Sequence, residues 1–191
     1  MQAVAINGSG RKDGNTAILL SRCLEKLESQ GIACELIQLA DMEIKPCRAR
    51  GTCFKTRDKT CDMKDDAFGK IFVKMQEADI IIVGSPVYFG SATAQLMALL
   101  QRAGYVSRAN GNLLSRKLGG PVTVARRAGQ NFTYAQLMYW FMIADMIVPG
   151  STYWNVGVAQ AKGDIEKDTE GLETIDRFAE NLIWLAKKLY A

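Results

Sequence analysis

The sequence predicts an α/β fold, a five-stranded parallel sheet with helices on both faces. Strand-like and helix-like segments alternate along the chain, the pattern of successive βα units. One segment, Asp79-Ile80-Ile81-Ile82-Val83-Gly84, is apolar without alternation, as expected of a strand covered on both faces. Connections between the segments are short, which suits parallel strands joined through crossover helices. At 191 residues and 48% hydrophobic, the chain is long enough for a full core. It reads as one domain over residues 1–191, with no repeat, low-complexity tract or linker.

Residues 3–7 are a short apolar run and the first strand. Helical spacing resumes over residues 16–30, and Gly31 is its stop signal. Residues 33–39 read as the second strand, followed by a polar, cysteine-bearing insertion over residues 40–61. Residues 65–76 place Phe68, Phe72 and Met75 on one helical face. The run at 79–84 is the expected sheet centre. Residues 92–106 are then a helix, 121–125 a strand, 133–145 a helix and 146–149 a short strand. Residues 169–190 close the chain as an amphipathic helix.

Composition removes several classes of chemistry. Histidine is absent, which excludes Ser-His-Asp and Cys-His catalysis, His-ligated zinc and His acid–base work. Any reaction then depends on other side chains or on a cofactor. The net charge of +4 is mild and the basic residues are scattered apart from Arg126-Arg127, so no nucleic-acid partner is expected. No apolar run is of bilayer length and no leader pattern opens the chain; no membrane association and a cytoplasmic location are the expectation.

The segment Gly8-Ser9-Gly10-Arg11-Lys12-Asp13-Gly14-Asn15-Thr16 lies between the first strand and its helix. Free backbone N–H groups and the positive end of the helix dipole favour an anion there. Ser9, Asn15 and Thr16 add donors, Arg11 a charged fork and Gly14 the turn into the helix. The loop is not a Walker A motif, because Asn15-Thr16 follows Gly14 where Lys-Ser/Thr is required. Its spacing, G-x-G-x-x-x-G, also misses the dinucleotide fingerprint by one residue. A phosphomonoester fits. An ordinary capped βα turn is the plainer alternative.

A second loop, Ser85-Pro86-Val87-Tyr88-Phe89-Gly90-Ser91, leaves the central strand. Ligands of open parallel sheets sit outside the carboxyl ends of the strands, so both loops are expected to face one crevice. Pro86 fixes the turn, Tyr88 and Phe89 can border a flat ring, and amides near Gly90 can reach ring heteroatoms. Alone, such a loop is more often a packed turn with one aromatic on the core.

Together, Gly8-Ser9-x-Arg11-x-x-Gly14-Asn15-Thr16 and Ser85-Pro86-Val87-Tyr88-Phe89-Gly90 resemble the NAD(P)H-dependent FMN reductase group of flavodoxin-like proteins, and especially its iron–sulfur flavoprotein branch. The resemblance implies a flavodoxin-like three-layer α/β sandwich and FMN as cofactor, with NAD(P)H as a possible substrate. It places the FMN phosphate on Ser9, Arg11, Gly14, Asn15 and Thr16, and the ring and ribityl along Pro86, Val87, Tyr88, Phe89 and Gly90. The loop after the fourth strand, with Arg126, Arg127 and Gly129, completes the pocket; a solvated basic loop is the alternative. No catalytic side chain is expected, since the chemistry belongs to the flavin. Partners are small-molecule or protein electron donors and acceptors, including a quinone, free flavin or oxygen. A homodimer or homotetramer is expected, with the apolar stretch 138–142 as its contact. A non-enzymatic electron carrier and a cysteine-based redox sensor are the alternatives.

The cysteines depart from this pattern. The iron–sulfur branch carries a run resembling C-x-x-C-x-x-C with a fourth Cys a few residues on, four thiolates for a cubane cluster. Here Cys47, Cys53 and Cys61 match three of the positions, and Arg50 stands at the other. A guanidinium is no ligand, so an incomplete or labile cluster, a fourth ligand from elsewhere, or FMN without a cluster are the options. Zinc meets the same shortage, and a loop disulfide is sterically allowed. Cys23 and Cys34 read as core cysteines. Asp65-Asp66 reads as helix-opening charge rather than a metal site.

Overall fold

The computed structural model describes residues 1–190. Five parallel strands, β1 (Gln2–Asn7), β2 (Ala33–Gln38), β3 (Ile80–Pro86), β4 (Leu118–Ala125) and β5 (Val156–Val158), form one sheet in the order β2-β1-β3-β4-β5. Winding starts at β1, runs outward to β2, then reverses to β3. That reversal opens a crevice at the carboxyl ends of β1 and β3.

Helices α1 (Asn15–Glu28) and α6 (Thr169–Leu189) cover one face. Helices α3 (Phe68–Glu77), α4 (Ala94–Ala109) and α5 (Gln130–Ile143) cover the other. Each presents one apolar stripe: Leu20, Cys23, Leu24 and Leu27 on α1, and Ile71, Phe72 and Met75 on α3. The central strand β3 is buried from Ile80 to Ser85, whereas β2 alternates at the sheet edge. Among the described residues no helix is long and apolar enough to cross a membrane.

Four expectations need correcting. Residues 146–149 are not the fifth strand; they make only an isolated bridge between Leu118 and Ile147, and Pro149 cannot extend the ladder. The fifth strand is β5, whose three residues are too few to show a period. Strand β4 begins at Leu118 rather than 121. Gly119 looks like a strand breaker in sequence, yet a Cβ there would lie 1.9 Å from the Ile81 carbonyl oxygen, so glycine is what permits the pairing. Cys34 is half-buried rather than core, because β2 is an edge strand; Cys23 is fully buried. The insertion is not all loop, since α2 (Thr52–Thr56) lies inside it and packs on α4.

A two-pronged ion pair joins the helices of the first face. Arg22 Nε and Nη2 donate to the two Asp176 oxygens at 2.7 Å each, and Lys26 approaches at 3.4 Å. The Arg22 guanidinium holds the Asp176 carboxyl below its ordinary value. A depressed carboxylate contributes stability that is present above its unfolded value, about 3.9, and is lost as pH falls through the folded value. Asp176→Asn is therefore expected to flatten the fall of the urea midpoint below about pH 4 while leaving the cofactor loops intact. An unchanged slope would assign the acid sensitivity to other groups.

Candidate functional site

Three loops meet at the carboxyl edge of the sheet. Register sets Asn7 beside Gly84 and Ser85 beside Thr123, so β1, β3 and β4 end at adjacent heights. Gly8 N donates to Gly84 O at 2.8 Å, and the Thr93 hydroxyl donates to Gly8 O at 2.8 Å. Thr93 N in turn donates to Ser85 Oγ at 3.1 Å. The third loop touches the second: a Cβ on Gly129 would lie 2.9 Å from Val87 Cγ1 and 3.5 Å from Gly90 Cα. Gly129 also has φ +91°, where a side chain would be strained.

The first loop is shaped by its own side chains. Buried Asn7 donates to Gln38 Oε1 at 2.6 Å and accepts from Ser9 N at 3.0 Å. Ser9 Oγ accepts from Arg11 N at 3.1 Å, which leaves its hydrogen free to donate. Helix α1 starts after Gly14 with no side-chain cap, so its first-turn amides are not claimed by a capping side chain. Thr16 is buried at this turn. Asn15 differs from expectation. Its Nδ2 donates to Ala161 O at 2.8 Å, and its Oδ1 accepts from Gly163 N at 2.9 Å and Ile165 N at 3.4 Å. Its side chain braces a distant segment, and only its backbone N–H is left for an anion.

Charge around this loop is sorted by pairing. Lys12 pairs with Asp41 and Lys162 with Asp13, and the Lys162 ammonium holds the Asp13 carboxyl below its ordinary value. Arg11, Arg126 and Arg127 are exposed and make no ion pair among the described residues. They are the cations left to meet an anionic ligand.

The second loop ends in a tight hairpin. Tyr88 N donates to Ser91 O at 2.9 Å and Ser91 N to Tyr88 O at 3.1 Å, with Phe89 at φ +51° and Gly90 at φ +79° between them. Two consecutive left-handed residues are the arrangement of a type I′ turn, which Asn-Gly suits and Phe-Gly does not. Phe89 is nevertheless fully exposed and Tyr88 half-exposed. Strain at an exposed aromatic is characteristic of a ligand clamp. Phe89→Asn is expected to raise stability by about 0.5–1.5 kcal/mol by relieving the left-handed backbone, and to weaken ligand binding. Unchanged binding with raised stability, by titration and urea unfolding, would remove Phe89 from the site.

On the third loop, Gly129 precedes α5, which also starts without a side-chain cap. Arg127, Gly129, Gln130, Phe132 and the Tyr153–Trp154 pair line a cavity of about 450 Å³ beside β5.

The cysteine insertion lies apart, packed on the α3/α4/α5 face. Cys47, Cys53 and Cys61 are free thiols, and burial pushes the Cys53 thiol up. Arg50 Nη2 pairs with Asp62 Oδ1 at 3.1 Å, and the Thr52 hydroxyl donates to Asp62 Oδ2 at 2.9 Å. Among the described residues no group of three or more His, Cys, Asp and Glu is arranged to hold a metal ion. Asp66 does open a helix, accepting from Phe68 N at 3.2 Å, but it also forms a buried ion pair with Arg102. Sequence reading missed Arg102. Its signal was a charge on the apolar stripe of Leu99, Ala103 and Val106.

Residues 1–161 match the family model described as NADPH-dependent FMN reductase. The chain belongs to that family. Among curated relatives, an iron–sulfur flavoprotein of Methanocaldococcus jannaschii is 38% identical over 194 residues, covering 98% of each chain. One from Methanosarcina thermophila is 34% identical over 184 residues, covering 95% of this chain and 93% of its own. These relatives agree with the iron–sulfur flavoprotein branch of the FMN reductase family. Among solved structures, RosB with a bound flavin-phosphate intermediate superposes with a TM-score of 0.78 at 20% identity, over 100% of this chain and 80% of that one. An archaeal flavodoxin superposes at 0.63 with 13% identity, over 98% and 99%. At these identities the likeness is one of fold, and the fold is flavodoxin-like.

Family membership makes the chain a flavin-dependent oxidoreductase or electron carrier. The loops fit the flavin. An uncapped helix N-terminus, a free Ser9 donor and the unpaired Arg11 suit a phosphate, and the strained, exposed Phe89 beside Tyr88 suits a flat ring. The insertion does not fit a four-thiolate cluster in the same way, since it has three cysteines and Arg50, between Cys47 and Cys53, is ion-paired with Asp62.

Proposed function

We propose that the protein is an FMN-dependent oxidoreductase that takes a hydride from NAD(P)H and delivers electrons to a small acceptor such as a quinone, free flavin or oxygen, or to a protein. The observation that carries this reading is the joining of three loops at the switch point of the sheet, with Gly129 against Val87 and Gly90. FMN, when bound, accepts a hydride and returns electrons singly or in pairs.

The chain's part is to bind and orient. Ser9, Arg11, Gly14, Thr16 and the Asn15 amide hold the phosphate, while the Asn15 side chain fixes the loop against residues 161–165. Pro86, Val87, Tyr88, Phe89 and Gly90 lie along the ring. Arg126, Arg127 and the uncapped amides after Gly129 supply positive potential where negative charge develops. No side chain is assigned as a proton donor or acceptor in the reaction. Of the stretch 138–142, Trp140 and Phe141 are buried in the core, and the exposed Tyr139 and Met142, with the adjoining Ile143, are the surface proposed for a second copy in a homodimer or homotetramer.

Steady-state oxidation of NAD(P)H by the FMN-loaded full chain with a quinone acceptor tests the reading. Sustained turnover, lost when Phe89 and Tyr88 are both replaced by alanine, is expected. Flavin that is reduced only by a protein donor, with no nicotinamide turnover, would instead favour the electron-carrier reading, for which the exposed Phe89 tip offers a docking point.

A further inference from the structure

The insertion is cross-linked at two levels by side-chain ion pairs. At its base, Arg102 reaches out of α4 and donates through Nη1 to Lys45 O at 3.2 Å and through Nη2 to Met63 O at 2.9 Å. The same guanidinium pairs with Asp66, whose Oδ2 accepts from Lys45 N at 2.8 Å, and it lies 4.1 Å from the centre of the Phe68 ring. Both members of this pair are about as buried as side chains become, at 1% and 0% exposure. Burial disfavours the Arg102 charge, but Asp66 and the nearby Cys61 sulfur outweigh it and raise its proton affinity above the ordinary value. The segments entering and leaving the insertion are thereby tied to each other and to α4.

At the level of the thiols, Arg50 reaches across to Asp62, the neighbour of Cys61, and Thr52 binds the other Asp62 oxygen. The position that would supply a second thiolate is thus turned into an arm-to-arm salt bridge. A guanidinium has no lone pair to offer iron, and it places a positive charge where a ligand must be an anion. Asp62 is already held by Arg50 and Thr52. The remaining cysteines are on the wrong side of the molecule: Cys23 and Cys34 pack with the α1/α6 core, whereas Cys53 and Cys61 pack with the α3/α4/α5 core, and the sheet separates the two.

We propose that this chain, unlike the iron–sulfur pattern it otherwise follows, assembles no iron–sulfur cluster at Cys47, Cys53 and Cys61, that Arg50 is the block, and that the Arg102–Asp66 and Arg50–Asp62 pairs hold the insertion in the cluster's place. Under the flavin reading above, on which this last step rests, electrons then enter and leave at the flavin loops, with no relay through the insertion.

The test uses the full chain purified anaerobically and treated with ferrous iron and sulfide. Iron, acid-labile sulfide and flavin are measured per chain, and hydrogen exchange is followed over residues 45–66. Expected are iron and sulfide below about one per chain and exchange protection at the base of the insertion in iron-free protein; Arg50→Cys should take up about four irons. One or more irons per chain in the unmodified protein would overturn the proposal, whatever its flavin content. Failure of Arg50→Cys to gain iron would overturn the role of Arg50. Asp62→Asn, which removes only an exposed pair, should speed exchange over residues 47–62; unchanged exchange would overturn the cross-link at the thiol level. Absence of flavin with iron still below one would defeat the flavin reading and leave the insertion proposal standing.

Discussion

Replacing Arg102 by leucine is expected to lower the unfolding free energy by about 3–5 kcal/mol, the cost of leaving one member of a buried ion pair without its partner. The loss has identifiable parts. Asp66 keeps its backbone donors from Lys45 and Phe68 but loses its cation, and the Lys45 and Met63 carbonyls lose their donor. Arg50→Ala breaks a pair whose members are 49% and 31% exposed, and its effect should stay within about 0–1 kcal/mol. Burial, not charge, decides the difference. Urea unfolding of both variants beside the parent checks it; an Arg102→Leu loss under about 1 kcal/mol would show that the insertion is held by its apolar contacts instead.

The second large effect concerns the phosphate. Riboflavin is expected to bind about 10²–10⁴-fold more weakly than FMN, because two or more hydrogen bonds to a charged group, each about 1.5–3 kcal/mol, disappear with the phosphate. Arg11→Ala should account for about 1.5–3 kcal/mol of this and leave the stability of the flavin-free protein unchanged, since its guanidinium makes no ion pair among the described residues. Asn15→Ala should behave differently. Its amide holds Ala161, Gly163 and Ile165, so the flavin-free protein itself should lose about 1–3 kcal/mol. Fluorescence titration with the two flavins and thermal unfolding of the two variants separate these roles. Equal affinity for FMN and riboflavin would sink the phosphate assignment.

The alternation of elements, the burial of β3 and the two motif loops were readable because each rests on local pattern: a period, an apolar run, a glycine-bounded turn. What failed was non-local or too short. Strand β5 has three residues and is defined by its neighbour Thr123, not by any periodicity of its own. Gly119 looks like a breaker until the Ile81 carbonyl stands beside it. Asn15 stood out in the motif, but which partner its amide takes depends on a segment about 150 residues away. Arg102 sat on an apolar stripe as an apparent exception. Only the return of residues 45, 63 and 66 to α4 shows why it is there.

The bracing of Asn15 against residues 161–165 bears on how far this protein can be cut. A fragment ending at residue 161, where the family match stops, would contain every proposed flavin contact, and by motif it would look complete. It would lack the Gly163 and Ile165 donors that orient Asn15, and with α6 it would lose Ile175, Phe178 and Leu182, which cover the sheet behind the phosphate loop. The end of the family model's match is therefore not a boundary for autonomous folding. The last thirty residues act as a clamp, and a transplant of the cofactor loops into another scaffold must carry a substitute for it.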